Sequence, residues 1–240
     1  MAGKNYYLLS FLTTPEALGA EPPILCGDLL HHLDAEEQPR PHELVRTIFL
    51  SDDLLQRDAT LAGEIDEPEP IILTVGQLSD EEPLPDYLVG SVEEAGTGGE
   101  RKIVADTVWE AYFRHAAAVA DRLGSGFLRA WVGYEVALRN ALAEARARAL
   151  ELEPADYYVA TDLAEASDLS ATVNEWSSAA DPLRAQRALD EARMEWLIEN
   201  DAYFSFGDDE LTAYAAKLIL AVRWRRLTRA MEGEEEGNRQ

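Results

Sequence analysis

Residues 127–152 most restrict what this chain can fold into, because their sequence places two apolar stripes on a single helix. On a helical wheel with 100° per residue, the stripes lie on nearly opposite faces. Large side chains dominate the first stripe: Phe127, Trp131, Tyr134, Leu138, Leu142, Ala145, Ala149 and Leu152. Small side chains dominate the second: Gly133, Val136, Ala137, Asn140, Ala143, Ala147 and Leu150. A surface helix has one apolar stripe and a polar back, so we expect this helix to lie inside a bundle, with neighbours on both sides.

Polar side chains on this helix are expected to be structural. Asn140 stands in the small-residue stripe, where another segment of backbone can approach closely. Because an unsatisfied buried amide costs about 1–3 kcal/mol, we expect Asn140 to hydrogen-bond to a neighbouring helix or loop, as buried Asn does in coiled coils. We also expect the ion pairs Glu135–Arg139 and Glu144–Arg148 along the helix. Between the stripes stand Glu135, Arg139, Arg146 and Arg148, and we expect the Arg side chains to contact neighbouring helices.

Residues 208–233 are predicted to form a last helix of the same design. One stripe holds Leu211, Tyr214, Ala215, Leu218 and Val222, and the other holds Ala213, Ala216, Leu220, Trp224 and Leu227. Four Arg side chains cluster at its end: Arg223, Arg225, Arg226 and Arg229. Two interpretations of this cluster are open. The Arg side chains complement the negative helix end and nearby carboxylates, or they form a docking patch for an acidic partner.

The whole pattern predicts a mostly α protein, a multi-helical bundle with a short strand or irregular segments in the first 100 residues. Residues 5–12 are predicted to be a short strand or an apolar arm, and PIILTV at 70–75 a second strand. A helix is expected on either side of a break at Ser51. Domain boundaries follow from composition: an N-terminal segment at 1–100 with short helices and an acidic Pro/Gly-rich loop, a helical bundle core at 101–233 and a polar tail at 234–240. We expect these parts to form one compact domain.

Charge excludes several classes of partner. The chain has 46 acidic residues against 21 basic ones, a net charge of −25, which repels phosphate backbones and anionic lipid. Nucleic acid is therefore not an expected partner. The sequence has no apolar run of about 18 residues, so we expect no direct membrane span. Cys26 is the single cysteine, which rules out an internal disulfide. We expect a cytoplasmic protein.

Catalytic and metal-binding patterns are weak. The nearest approach to a metal site is a group of six residues, but adjacent His residues on a helix point about 100° apart and cannot easily bind one ion. The six are His31, His32, Asp34, Glu36, Glu37 and His42. The spacing of zinc ligands is usually tighter. The glycines at 96–99 lack the G-K-[ST] ending of a phosphate loop. We therefore expect no catalytic, cofactor-binding or metal-binding residue, no cofactor, and a protein that is not an enzyme.

Two segments resemble a known family. YEVALRNALAEARARALELEPADY, residues 134–157, resembles the signature helix of the C/d-type subunit of the V/A-type rotary ATPases, named C in bacteria and archaea and d in eukaryotes. Glu135, Asn140, Arg146 and Arg148 stand at comparable places, and Ala145 stands where Leu is usual. FGDDELTAYAAKLILAVRWRRL, residues 206–227, resembles the closing helix of that subunit, without the acidic residue that usually follows its Lys. Tyr214, Lys217 and Arg223 match its pattern.

A closer resemblance is to a small bacterial family encoded among V-type ATPase genes, whose members look like shortened relatives of the C/d-type subunit. YYLLSFLTTPEALGAEPP, residues 6–23, resembles the start of that family, and residues 193–224 resemble its C-terminal region.

In the larger family, the C/d-type subunit is a non-catalytic helical funnel that seats the central shaft on the membrane rotor ring. The resemblance therefore implies a coupling or assembly subunit of a proton- or sodium-transporting ATPase. Its partners are expected to be the shaft or the ring, and it is expected to be peripheral to the membrane through that complex. The alternatives are a freestanding helical protein–protein adaptor and a metal-dependent hydrolase.

Overall fold

A computed structural model describes residues 5–15, 17–19, 21–89 and 104–237, with side chains described as far as residue 230. Nine α-helices and no β-strand occur within these residues, so the predicted helical class is confirmed. The helices are α1 (Tyr6–Phe11), α2 (Cys26–Ala35), α3 (Pro39–Leu61), α4 (Val75–Leu78), α5 (Val104–Leu123), α6 (Gly126–Ala149), α7 (Ser170–Ser178), α8 (Pro182–Glu199) and α9 (Asp208–Gly237). Short 3-10 helices lie at Asp86–Leu88, Pro154–Tyr157 and Thr161–Leu163.

The chain divides into two compact units. Unit 1 contains residues 1–52 and 189–240, and unit 2 contains residues 53–188, so both boundaries fall inside helices, in α3 and in α8. The division expected at residue 100 lies outside the described residues, so it stays a prediction. Part of the acidic Pro/Gly-rich loop predicted within the first 100 residues, at 90–100, lies there too. That the chain forms one compact domain stays a prediction.

Unit 2 is built around α6. This helix packs against α5, α7 and the 3-10 helices at Pro154–Tyr157 and Thr161–Leu163. The first predicted stripe is buried over most of its length, and the second is buried or half-buried as far as Ala147. Buried residues of the first are Phe127, Trp131, Tyr134, Leu138 and Leu142, and those of the second are Gly133, Val136 and Ala147. The stripes end sooner than predicted, because α6 stops at Ala149 and Leu150 beyond it is 68% exposed.

Unit 1 is built around the first half of α9. Every residue from 211 to 221 is buried, so the two predicted stripes merge into a helix that is covered on all sides. α2 packs on α9 and buries Cys26, Leu29 and Leu33. α9 runs to Gly237. The polar tail predicted to begin at residue 234 therefore begins as helix.

Several helix ends are fixed by local capping contacts. Gly124 adopts a φ of 65° after α5, a left-handed conformation that costs glycine little. The Ser125 hydroxyl then accepts the Leu128 N–H at 3.1 Å and caps α6. Asp181 does the same for α8, where its carboxylate accepts the Arg184 N–H at 2.8 Å. These capping residues explain why α6 begins at Gly126 and α8 at Pro182.

The strand predictions were wrong for the described residues. Residues 6–11 form the short helix α1, in which the Leu9 N–H bonds to the Asn5 carbonyl at 2.9 Å. Residues 70–74 are irregular because their N–H groups have another acceptor. The buried Asp53 carboxylate accepts the N–H groups of Ile71, Ile72 and Leu73 at 2.6–2.8 Å. Donors used in this way are not available for a strand ladder.

The break predicted at Ser51 was also wrong, because α3 is continuous. The Ser51 hydroxyl donates to the Ile48 carbonyl at 2.7 Å, one turn back in the same helix. A Ser side chain can bond in this way inside a helix as well as at its start. The sequence alone did not distinguish these two uses.

Candidate functional site

Asn140 joins α6 to a loop. Its side-chain N–H donates to the Val159 carbonyl at 2.9 Å, and its side-chain oxygen accepts the Val159 N–H at 3.0 Å. The amide thereby satisfies both backbone groups of a buried residue. Gly133 of the same stripe lies against the same connection, because its carbonyl accepts the Glu165 N–H at 3.1 Å. A Cβ at Gly133 would lie 3.0 Å from Glu165 Cβ. The small-residue groove predicted from the sequence therefore holds a loop.

Two of the four charged candidates on α6, Arg139 and Arg146, contact other helices of unit 2. Arg139 donates to Asp106 of α5 at 3.1 Å and lies 4.8 Å above the Trp109 ring. Arg146 lies 5.0 Å above the ring of Trp176 in α7. Arg148 pairs with Glu144, as predicted. Glu135 is half-buried on the same helix. Arg139 and Arg146 thus take part in the packing of α6, whereas Arg148 lies on its surface.

The Arg cluster of α9 is largely an internal charge network in unit 1. Two fully buried carboxylates organise it, Asp52 on α3 and Asp190 on α8. Arg223 donates to Asp52 at 3.2 Å and to Asp190 at 3.0 Å. Arg226 donates to Asp52, and the Trp224 indole N–H donates to Asp190 at 3.0 Å. These contacts support the interpretation in which the Arg side chains complement nearby carboxylates.

The docking-patch interpretation of this cluster fails for Arg223 and Arg226, whose guanidinium groups are mostly buried against Asp52 and Asp190. Arg225 pairs with Glu21 at 3.3 Å, and that carboxylate side chain is 82% exposed. Arg229 is exposed. Two side chains on the surface, one of them already paired, do not make the positive patch that four would make.

Unit 1 instead carries an exposed aromatic surface. We define it by five residues of α1 and of the loop before α9: Tyr6 (41% exposed), Tyr7 (78%), Phe11 (86%), Tyr203 (45%) and Phe204 (82%). Large apolar side chains exposed together mark interaction sites more often than isolated ones do. The two segments are joined, since the Tyr6 ring lies 4.8 Å from the Phe206 ring, edge to face, and the Asn5 N–H donates to the Phe206 carbonyl at 3.2 Å.

The Glu210 carboxylate holds the loop in place from the first turn of α9. It accepts the Phe204 N–H at 3.1 Å, the Phe206 N–H at 2.5 Å and the Ser205 hydroxyl at 3.2 Å. Phe204 and Phe206 have φ values of 62° and 50°, a left-handed conformation that is unfavourable for bulky residues. Such strain persists only where surrounding structure imposes it, and it is concentrated at functional sites. The bonds to Glu210 therefore keep the loop in the conformation that exposes the Phe204 ring.

Lys217, one of the predicted site residues, anchors the start of the same loop. Its ammonium is fully buried and lies 2.5 Å from Asp201 Oδ2 and 2.8 Å from the Tyr203 hydroxyl. Burial raises the pKa of Asp201, and the hydrogen bond and charge of Lys217 oppose that shift. Tyr214, one turn earlier on α9, is buried, and burial raises the pKa of its phenol. The buried Lys217 thus holds Tyr203, a residue of the aromatic surface, through the hydrogen bond to its hydroxyl.

A second buried contact fixes α1. The Asn5 side chain donates to Asp208 Oδ1 at 3.0 Å, and Arg40 of α3 pairs with Asp208 Oδ2 at 2.7 Å. Asp208 is the first residue of α9, where a carboxylate also suits the positive helix end. Three carboxylates therefore hold the two segments of the aromatic surface in place, those of Asp201, Asp208 and Glu210.

Several of these residues were not among the sequence candidates. Asp52 and Asp190 stand at apolar-stripe positions: Asp52 follows the buried Ile48 by four residues, and Asp190 precedes the buried Met194 by four. A carboxylate at a core-facing position of a helix can be recognised in the sequence pattern, and this signal identifies both Asp52 and Asp190. Glu210 and Phe204 have no such signal, because the loop conformation that joins them is irregular.

Within the described residues, no group of three or more His, Cys, Asp or Glu is placed to hold a metal ion. In the same part of the chain, no helix is both long and apolar enough to cross a bilayer. Comparison of the chain with protein-family models, with curated proteins and with solved structures finds no match.

Proposed function

We propose that this chain is a non-catalytic coupling or assembly subunit of a V/A-type rotary ATPase, and that the aromatic surface is where it meets another subunit. The proposal rests on one observation: Tyr7, Phe11 and Phe204 are exposed. The backbone segments that carry them are held in place by the carboxylates of Asp201, Asp208 and Glu210. Buried Tyr, Phe and Trp anchors supply most of the binding energy of protein interfaces. Presenting them rigidly lowers the entropy cost of binding.

The resemblance points to the same place on the molecule. The two segments that resemble the small ATPase-associated family are residues 6–23 and 193–224. The first contains Tyr6, Tyr7 and Phe11, and the second contains the loop and Glu210. A family likeness that coincides with an exposed surface favours an interface function for that surface. The central shaft and the rotor ring are the two expected partners.

The predicted residues of α6 have a different part in this proposal. Asn140, Arg139 and Arg146 bind the helices and loops of unit 2 to one another. They make the scaffold that a non-catalytic subunit of the C/d type requires. A freestanding adaptor would need the same scaffold, so the partner decides between the two functions.

The deciding experiment is a pull-down from the cells that produce the protein, with the recovered chains identified by mass spectrometry. We expect V-type ATPase subunits to be recovered, and we expect the purified chain to hydrolyse no nucleotide. A double variant, Phe11→Ala with Phe204→Ala, should lose the ATPase subunits. A matched control, Leu61→Ala with Leu150→Ala, removes exposed apolar side chains from unit 2 and should retain them. Recovery of no ATPase subunit by the wild-type protein would make the freestanding adaptor the better function.

A further inference from the structure

We infer that the partner of the aromatic surface is a basic amphipathic protein segment, one that sets Arg or Lys side chains beside apolar ones. The inference rests on the proposed function only in treating this surface as an interface. It names the chemistry of the occupant, which the proposed function leaves open. Three features of unit 1 carry it: the aromatic rings, the carboxylates of α8 that precede the loop in the chain, and the polarity of the end of that helix.

The carboxylates lie at the C-terminal end of α8. Glu195 and Glu199 are exposed and four residues apart, so both lie on one face of the helix. α8 ends at Glu199, and Asp201 begins the loop that displays Phe204. Glu199 therefore precedes Phe204 by only five residues along the chain.

Acidic side chains at this end of a helix oppose its stability. A helix C-terminus carries a partial negative charge, which favours Lys or Arg there and disfavours Asp or Glu. The last turn of α8 contains no basic residue, and Glu199 is its final residue. The dipole and the carboxylates thus add to one negative field at the end of α8, five residues before Phe204. A cation supplied by a partner satisfies that field without any rearrangement of this chain.

The rings themselves favour the same partner. The faces of exposed Tyr and Phe rings attract Arg and Lys at up to about 6 Å from the ring centre. Unit 1 already uses this contact internally, where the Lys217 ammonium lies 4.4 Å from the centre of the Tyr203 ring. Ile198, which is also exposed, adds apolar area between Glu195 and the loop. A helix that alternates apolar and basic side chains matches both the aromatic rings and the carboxylates of α8.

Charge also disfavours the other occupants. A second copy of this chain would bring another net charge of −25 to a surface that is already acidic. An anionic membrane would be repelled for the same reason. A basic segment gains from long-range attraction, which raises its association rate and makes that rate dependent on salt.

The test uses the full chain and three labelled synthetic peptides of about 18 residues, long enough to form a helix on binding. The first is an amphipathic helix of Leu and Arg, the second replaces every Arg by Glu, and the third keeps the Arg content in a Gly/Ser background. Affinities are measured by fluorescence anisotropy at low and at moderate salt. We expect the Leu/Arg peptide to bind at least about tenfold more tightly than the Gly/Ser/Arg peptide, since anchors at an interface contribute that much or more.

Variants assign the binding to this surface. Phe204→Ala and Phe11→Ala, made separately, should each remove most of that tenfold difference, and Leu150→Ala should remove none. Glu195→Gln with Glu199→Gln should slow association of the Leu/Arg peptide and weaken its salt dependence. Melting temperatures equal to wild type show that these exposed changes leave the fold intact. If Phe204→Ala reaches the wild-type affinity, or if the Leu/Glu peptide binds as tightly as the Leu/Arg peptide, the inference is wrong.

Two further measurements separate this inference from other outcomes. Binding to phosphatidylcholine vesicles that Phe204→Ala abolishes makes lipid the occupant, and a wild-type dimer that Phe204→Ala dissociates makes a second copy the occupant. Either result overturns the basic-segment inference. The pull-down tests the proposed function independently. If the peptide binds through the aromatic rings but the pull-down recovers no ATPase subunit, the inference stands and the proposed ATPase function is wrong. If the double variant still recovers ATPase subunits, only the assignment of this surface as the interface is wrong.

Discussion

The Lys217 ammonium lies 2.5 Å from Asp201 Oδ2, and both side chains are buried beneath the aromatic surface. A buried pair of this kind gives weak net stabilisation, but removing one partner leaves an uncompensated charge that costs about 3–5 kcal/mol. Lys217→Met should therefore lower the free energy of unfolding by an amount of that order, measured by urea titration. The double variant Lys217→Met with Asp201→Asn should recover part of the loss. If the single and double variants are equally unstable, the charge of Asp201 is not what the lysine compensates.

The Glu210 carboxylate should stabilise the loop before α9 specifically. Glu210→Ala removes the acceptor of the Phe204 and Phe206 N–H groups and of the Ser205 hydroxyl, so the strained loop loses what holds it. We expect a cost of about 1–3 kcal/mol and new protease cleavage within residues 201–207. Glu199→Ala, an exposed carboxylate nearby, is the control and should show neither effect. Cleavage that is no faster in Glu210→Ala would mean that other contacts hold the loop.

Asn140 should contribute to the stability of unit 2. Asn140→Ala removes the partner of both backbone groups of the buried Val159 and should cost about 1–3 kcal/mol. Asn140→Leu adds volume to the groove and should cost a similar amount by overpacking, about 1–3 kcal/mol. Asn174→Ala on α7, where the side chain is exposed, is the control. Melting temperatures unchanged by both Asn140 variants would contradict the packing described for α6.

The two kinds of Arg on α9 should respond differently. Arg223→Met takes one donor from each of the buried carboxylates of Asp52 and Asp190, which keep Arg226 and Trp224, and should destabilise the protein by about 1–3 kcal/mol. Arg225→Met breaks only the exposed pair with Glu21 and should cost about 0–1 kcal/mol. Thermal and urea unfolding of the two variants measures the contrast. Equal costs would place Arg223 at the surface.

Asp58 should make stability depend on pH. Burial raises the pKa of Asp58 above its ordinary value of 3.8, and the hydrogen bond from Trp109 and the charge of Arg139 oppose this only in part. The folded state then binds the proton more tightly than the unfolded chain. Its stabilising contribution is present below pH 3.8 and is lost as the pH rises through the folded pKa. Asp58→Asn accepts the Trp109 bond without ionising, so its stability relative to wild type should rise across that window.

A carboxylate with the opposite shift is the control for that measurement. The hydrogen bond from Arg114 lowers the pKa of Asp162, which is largely exposed. Its contribution is present above its unfolded pKa and is lost as the pH falls through the folded pKa. Asp162→Asn should therefore become less stable relative to wild type as the pH rises, by a small amount because solvent screens the pair. Slopes of the same sign for both variants would contradict the two assignments.

The sequence by itself determined the helical class and the identity of the central helices. The stripes of α6 and α9 depend only on spacing along a regular helix, and the caps Ser125 and Asp181 act within three residues of themselves. Local geometry of this kind is complete in the sequence. The sequence predicted that Asn140 bonds to a neighbouring helix or loop, because a buried amide must be satisfied. It did not identify Val159 as the partner.

The tertiary structure alone decided which charges are internal and where the aromatic surface lies. Whether Arg223 docks a partner or pairs with Asp52 depends on a carboxylate 171 residues away, and helical periodicity does not report such distances. The same holds for residues 70–74, which have strand-like composition but give their N–H groups to Asp53. Phe204 is displayed because Glu210 and Lys217 hold its irregular loop. Contacts between elements select among the structures that local preference allows, because the energies of those contacts exceed the differences in propensity.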